Sequence, residues 1–308
     1  MEPWVFFATV GSFLEVIWTS SGFWLLKNLE PSSYNAVQFS IAFLLIFLYN
    51  LFFRQDFKPN YPMLIGGLLC GIQLFFLNKG FAEMNNPGLG VALFRTEIIF
   101  TTIVAYFLFK SPMTIEMIVY MLIIVVGMYL LSMKDSGSGE TFEFGEWQLY
   151  TLIALGCVVI TDGLMKFIMT SNKNISMVNI ATNFLFTAAG AATILQFIDV
   201  KKLGLVIKKD SEEKDPDKDP LTYVLLLVCG FIEMIYIIIM AYTIKFSFNP
   251  GMGKAIISSS AFFITLLSTF IFKDATLDAY NWGGLVLILI FVTFIGLMNK
   301  KGQLFIKM

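Results

Sequence analysis

Histidine is absent from this 308-residue chain. That absence removes the commonest metal ligand, the usual proton switch near neutral pH, and every Ser-His or Cys-His nucleophile pair. Charge is also scarce. Asp, Glu, Lys and Arg make up 14% of the residues, against about a quarter in soluble domains. Too little polar surface remains to cover a water-exposed globule of this size. The net charge of −1 gives no electrostatic case for nucleic acid as a partner. Arginine occurs only as Arg54 and Arg95, which makes Arg95, set inside an apolar run, conspicuous. Cys70, Cys157 and Cys229 each lie within apolar stretches and read as small buried hydrophobes, not as a disulfide framework or a metal cluster. Neither an HExxH metal motif nor a Gly-x-Ser-x-Gly elbow is present. The chain is therefore expected to be no enzyme and to need no cofactor or metal.

Apolar residues fill 57% of the sequence. A spanning helix needs roughly 20 of them in a row. Ten such runs are found, at 4–26, 33–53, 61–82, 88–110, 113–132, 147–169, 175–197, 221–244, 250–272 and 279–298. The first run has no small-residue cleavage site after it and is itself long enough to span, so it is expected to be a helix and not a cleaved signal peptide. Most connections are a few residues long. The two longer ones are Lys134–Glu146, near the middle, and Lys201–Pro220, whose charges and prolines suit a solvated loop.

One internal repeat stands out. Residues 86–110 read NPGLGVALFRTEIIFTTIVAYFLFK, and residues 249–273 read NPGMGKAIISSSAFFITLLSTFIFK. They align without a gap. Two unrelated apolar helices would not share both the polar NPG start and the lysine end, whereas a tandem duplication would produce them. Each half then carries five helices, so the second half enters the membrane from the opposite side. The expected fold is an all-α membrane protein of ten transmembrane helices in two inverted five-helix repeats, an arrangement used by many secondary carriers. The first repeat covers 1–133, a linker 134–146, the second repeat 147–299, and a short basic tail 300–308. In each NPG start, Asn can cap the helix and Pro suits its first position. The lysine and arginine positions give a vote for both termini in the cytoplasm.

Ten helices, two five-helix halves and an NPG-[LM]-G-x-A-[LI] start to helices four and nine resemble the drug/metabolite transporter superfamily, and most closely its EamA-like branch. The resemblance covers nearly the whole chain. It implies a secondary transporter that moves a small polar metabolite, such as an amino acid, by alternating access, with a cavity lined by helices one, three, four, six, eight and nine. Its partners would be a small-molecule substrate and the lipid bilayer of a plasma membrane or endomembrane, and a homodimer is compatible with the sequence. Lys254 resembles the lysine that nucleotide-sugar carriers place near there to meet phosphate. A nucleotide-sugar or sugar-phosphate exchanger is thus the alternative, and a non-transporting scaffold a weaker one.

Charged residues inside a spanning helix are expensive and usually face a cavity or a partner. The candidate substrate-binding residues are accordingly Arg95, Lys254, Glu15, Asp162, Glu233 and Tyr236. Arg95 and Lys254 would attract an anionic group, and Glu15, Asp162 or Glu233 would hold an amine or a proton. Arg95 and Glu97 are two residues apart and diverge by roughly 200° around a regular helix, so they should not share a neighbour. Asp162 and Lys166, four apart, share a face and could neutralise each other. Lys79 and Glu83 are expected to pair near a helix end. Trp18, Trp24 and Tyr242 suit either a cavity or an interface. Asn179 and Asn183 suit helix packing or substrate, and Gly67 and Gly71 suggest close packing of helix three.

Overall fold

The computed structural model describes residues 2–54, 57–83, 91–132 except 92, 146–207 except 173, 220–267 except 261 and 265, 279–296 and 298. The NPG start at 86–88, linker residues 134–145, most of the 201–220 loop and the tail lie outside the described residues.

Ten helices account for nearly all of the described chain. They are α1 (Pro3–Leu26), α2 (Pro31–Phe52), α3 (Tyr61–Ala82), α4 (Glu97–Phe109), α5 (Ile115–Ser132), α6 (Glu146–Ser171), α7 (Met177–Val200), α8 (Pro220–Phe246), α9 (Pro250–Ile257) and α10 (Ala279–Gly296). Proline stands at the start of α1, α2, α8 and α9, where its missing N–H costs nothing. Asn60 caps α3 by accepting from the Met63 amide at 3.3 Å. Asn249 caps α9 by accepting from the Gly251 amide at 3.0 Å, the role its place in the NPG start suggests.

Six of these helices (α1, α2, α3, α6, α7 and α8) are long and apolar enough to cross a membrane. Their outer faces carry large apolar side chains, among them Phe13, Phe52, Phe186 and Phe231. Water would not tolerate so broad an apolar surface, and lipid favours it. The chain is an integral membrane protein of packed helices.

The helices pack in a pattern that survives exchanging each helix of the first five with its counterpart five places later. α2 lies on α7, α4 on α9, and α5 on α10. α3 packs on α6 and α7, as α8 packs on α1 and α2. α1 meets α9, as α6 meets α4. The spacing that sets Asn86 on Asn249 also sets Gly67 of α3 on Gly230 of α8, and both glycines sit at points of closest approach. A Cβ on Gly67 would overlap the Phe184 carbonyl of α7, and one on Gly230 would collide with Ile41 and the Gln38 carbonyl of α2. Gly71 repeats the contact one turn on, against Ala188. Small residues let backbones approach where no hydrophobic effect drives association.

Asn179 and Asn183 serve packing. The Asn183 Oδ1 accepts from the Asn60 amide at 2.8 Å, and both side-chain amides donate to the Lys58 carbonyl. Lys79 pairs with Asp199 of α7 at 2.6 Å, not with Glu83; an acid on the helix packed beside it lies within reach, so the local pairing is not needed.

Gly67→Ala should destabilise the protein by about 1–3 kcal/mol through overpacking, whereas Gly190→Ala, which meets open space, should stay within about 0.5 kcal/mol. Melting curves of both variants in the same detergent check this.

Candidate functional site

The fourth and ninth apolar runs are not continuous helices. In the fourth, helical residues up to Phe94 give way to a turn at Arg95 and Thr96, and α4 begins at Glu97. In the ninth, α9 stops at Ile257 and a turn follows at Ser258 and Ser259. The repeat alignment sets Arg95 on Ser258, so the two breaks fall at the same place in each half. The local bonding tightens alike. The Thr96 amide donates to Leu93 O at 3.1 Å, and the Ser259 amide to Ile256 O at 3.0 Å, both one residue short of α-helical spacing.

The break at Arg95 brings together two side chains that a regular helix would separate. Arg95 Nη1 donates to Glu97 Oε1 at 2.7 Å. The expectation that they diverge fails because the chain turns between them. Arg95 also forms an ion pair with Glu15 of α1. Glu97 Oε1 lies 3.4 Å from Lys254 Nζ of α9, and Lys254 Nζ lies 3.2 Å from Asp162 Oδ2 of α6. The result is an unbroken chain of alternating charge, Glu15, Arg95, Glu97, Lys254, Asp162, drawn from both halves. All five residues are at least nine-tenths buried.

Its two ends are built alike. Glu15 Oε2 accepts from the Ser260 hydroxyl at 3.0 Å, and Asp162 Oδ2 accepts from the Thr101 hydroxyl at 3.4 Å. Each end carboxylate thus touches both broken segments, one through a cation and the other through a hydroxyl. Ser12 and Ser259 add a hydroxyl contact of 2.9 Å beside Glu15.

This chain borders a cavity of about 80 Å³. α1 contributes Glu15 and Trp18; α3 contributes Cys70, Gln73, Leu74 and Leu77; and α6 contributes Val158, Thr161, Asp162 and Met165. Phe94 and Arg95, Phe184 of α7, Glu233, Tyr236, Ile237 and Met240 of α8, and Lys254 complete the lining. All six candidate residues therefore line one space. The repeat spacing also sets Cys70 on Glu233, Gln73 on Tyr236, Leu74 on Ile237 and Leu77 on Met240, so matched positions of the two halves face each other there.

Glu233 stands apart from the ion-pair chain. Its Oε2 accepts from Gln38 Nε2 of α2 at 3.1 Å, and no lysine or arginine among the described residues pairs with it. Lys166 does not pair with Asp162, whose carboxylate is taken by Lys254. It donates instead to the Ile244 and Ser247 carbonyls at 3.2 and 2.9 Å, holding the end of α8, where carbonyls lack helical partners. Trp18 lines the cavity, while Trp24 packs against the core and Tyr242 stacks on Phe7 with ring centroids 4.9 Å apart. Gln38, Thr101 and Ser260 were not singled out from sequence; polar side chains inside apolar runs were the available signal. Among the described residues, no group of three or more carboxylate or thiol side chains is placed to hold a metal ion.

The helical fold encloses a buried, charged cavity within a membrane-embedded protein. The model of the EamA-like transporter family matches residues 2–133. No curated protein sequence matches the chain. One solved structure, described as the crystal structure of a protein, is similar with a TM-score of 0.67 at 14% identity, and the match covers 93% of this chain and 95% of that one. That likeness is one of fold and runs across both halves.

Arg95→Gln should cost about 3–5 kcal/mol, because it leaves two buried carboxylates without their cation. Adding Glu97→Gln should recover part of that loss. Melting temperatures of the single and double variants, read as a double-mutant cycle, check this.

Proposed function

We propose that this protein is a secondary transporter that moves a small polar metabolite across its membrane by alternating access. Its two five-helix repeats, 1–133 and 147–299, are taken to be inverted relative to each other. The observation that carries the reading is the cavity itself. It lies where two similarly packed halves meet, it is lined by matched positions of both, and it gathers charges that a merely structural bundle in lipid has little reason to hold. The residues proposed to meet the solute are Arg95, Lys254, Glu15, Asp162, Glu233 and Tyr236.

Two broken segments at matched positions support alternating access, since a break divides a spanning helix into parts that can tilt separately. Cavity size favours a small solute. The space of about 80 Å³ is far below the roughly 300–1,000 Å³ of sites for drug-sized ligands. The alternative, exchange of nucleotide sugars or sugar phosphates, has less support, because Lys254 and Arg95 are both already held by carboxylates.

Reconstituted in proteoliposomes, the protein should give saturable counterflow of at least one class among amino acids, organic amines, sugars and sugar phosphates. In a Cys157→Ala/Cys229→Ala background, alkylation of Cys70, which lines the cavity, should block that flux, and the transported solute should slow the alkylation. Folded protein in sealed vesicles that moves none of these classes would overturn the transport reading.

A further inference from the structure

The charges around the cavity do not cancel, and their pairing decides which solute charge the site can accept. Arg95 is shared by Glu15 and Glu97, and Lys254 by Glu97 and Asp162. Neither cation is left for an anionic ligand. An incoming carboxylate or phosphate would have to displace a buried partner and leave that partner uncompensated, in surroundings where an unpaired charge is costly. Glu233 is different. It is 5% exposed, lines the cavity, and meets a neutral amide where the other acids meet cations. Packing does not demand an acid there, because the matched position in the other half is Cys70, which borders the same space. The aromatic residues Trp18 and Tyr236 share that lining, and aromatic faces favour cations over anions.

We infer that the cavity selects a solute carrying a positive charge, an ammonium or comparable organic cation, and that Glu233 is its anchor. This takes the cavity to be the solute site of the transport reading and adds the sign of the charge it accepts. The solute's cation completes a partnership that the protein leaves open, while the five-residue ion-pair chain stays intact and holds α1, α6 and the two broken segments around it. Discrimination then follows from charge as much as from fit: a neutral solute of the same shape leaves Glu233 without a cation, and an anion adds repulsion.

The test uses the full chain in detergent and a thermal-shift comparison of matched probes. Putrescine and choline are set against their neutral counterparts 1,4-butanediol and 3,3-dimethyl-1-butanol, and against succinate and glycerol 3-phosphate. The wild type should be stabilised in a concentration-dependent way by at least one of the two cations and by none of the other four. Glu233→Gln should weaken that binding on the order of tenfold or more, and Glu233→Asp should retain part of it. The comparison of cation with neutral counterpart needs only the wild type, so it decides the matter even if Glu233→Gln does not fold. Equal stabilisation by the neutral counterparts, stabilisation by either anion, no stabilisation by either cation, or unchanged cation affinity in folded Glu233→Gln would each overturn the inference. Proteoliposome flux of the same probes separates the two readings. Flux of an anion without flux of cations rejects the cation site and keeps the transporter, whereas cation binding with no flux of any solute keeps the site and rejects transport.

Discussion

Charge neutralisation in a medium without water is the constraint on which this architecture depends. Hydrocarbon offers a buried ion nothing, so each charged side chain must find its partners within the protein. The alternating chain from Glu15 to Asp162 meets that demand for five residues at once. It also ties together four parts of the molecule that are distant in sequence: α1, α6, α9 and the segment around α4. Removing any inner member would strand two neighbours, so the chain acts as one unit and not as four separate pairs. Glu97 is the hinge of this arrangement, since one of its oxygens faces both cations.

The two halves are alike in packing and unlike in chemistry. Glu15 of α1 and Asp162 of α6 each receive a cation from one broken segment and a hydroxyl from the other. Yet the cations come from different registers, Arg95 at the break itself and Lys254 one turn before it. Glu233 faces Cys70 across the same repeat. The two similarly packed halves thus supply a near-symmetric enclosure, and a few unmatched side chains give that enclosure its charge pattern.

Much of this was legible in the sequence, and the reasons are local. Apolar runs marked the helices because a spanning segment must be apolar over its whole length. The NPG start was legible because Asn and Pro act on the backbone within their own turn, and Asn249 does cap α9. The charged residues inside those runs could be named as candidates because lipid makes them costly anywhere. Their pairing could not. Arg95 meets Glu97 only because the helix breaks between them, and no proline or glycine within Phe94–Glu97 announces the break. Lys79 and Asp162 found partners on other helices, Asp199 and Lys254, which neighbours in sequence do not reveal. The repeat spacing carried more than the aligned stretch used: extended to α3 and α8, it already placed Gly67 on Gly230 and Cys70 on Glu233.

The close glycine contacts have a consequence for what counts as a unit. Gly67 binds α3 tightly to α7, and Gly230 binds α8 tightly to α2. Each half therefore lends its third helix to the other. α3 packs against α6 and α7, and α8 against α1 and α2, and neither set is a continuous stretch of chain. Close packing in this fold is thus woven from both halves of the sequence. Synthesis must reach α7 to complete the first of those sets and α8 to complete the other, so assembly of this fold waits for the second half of the chain.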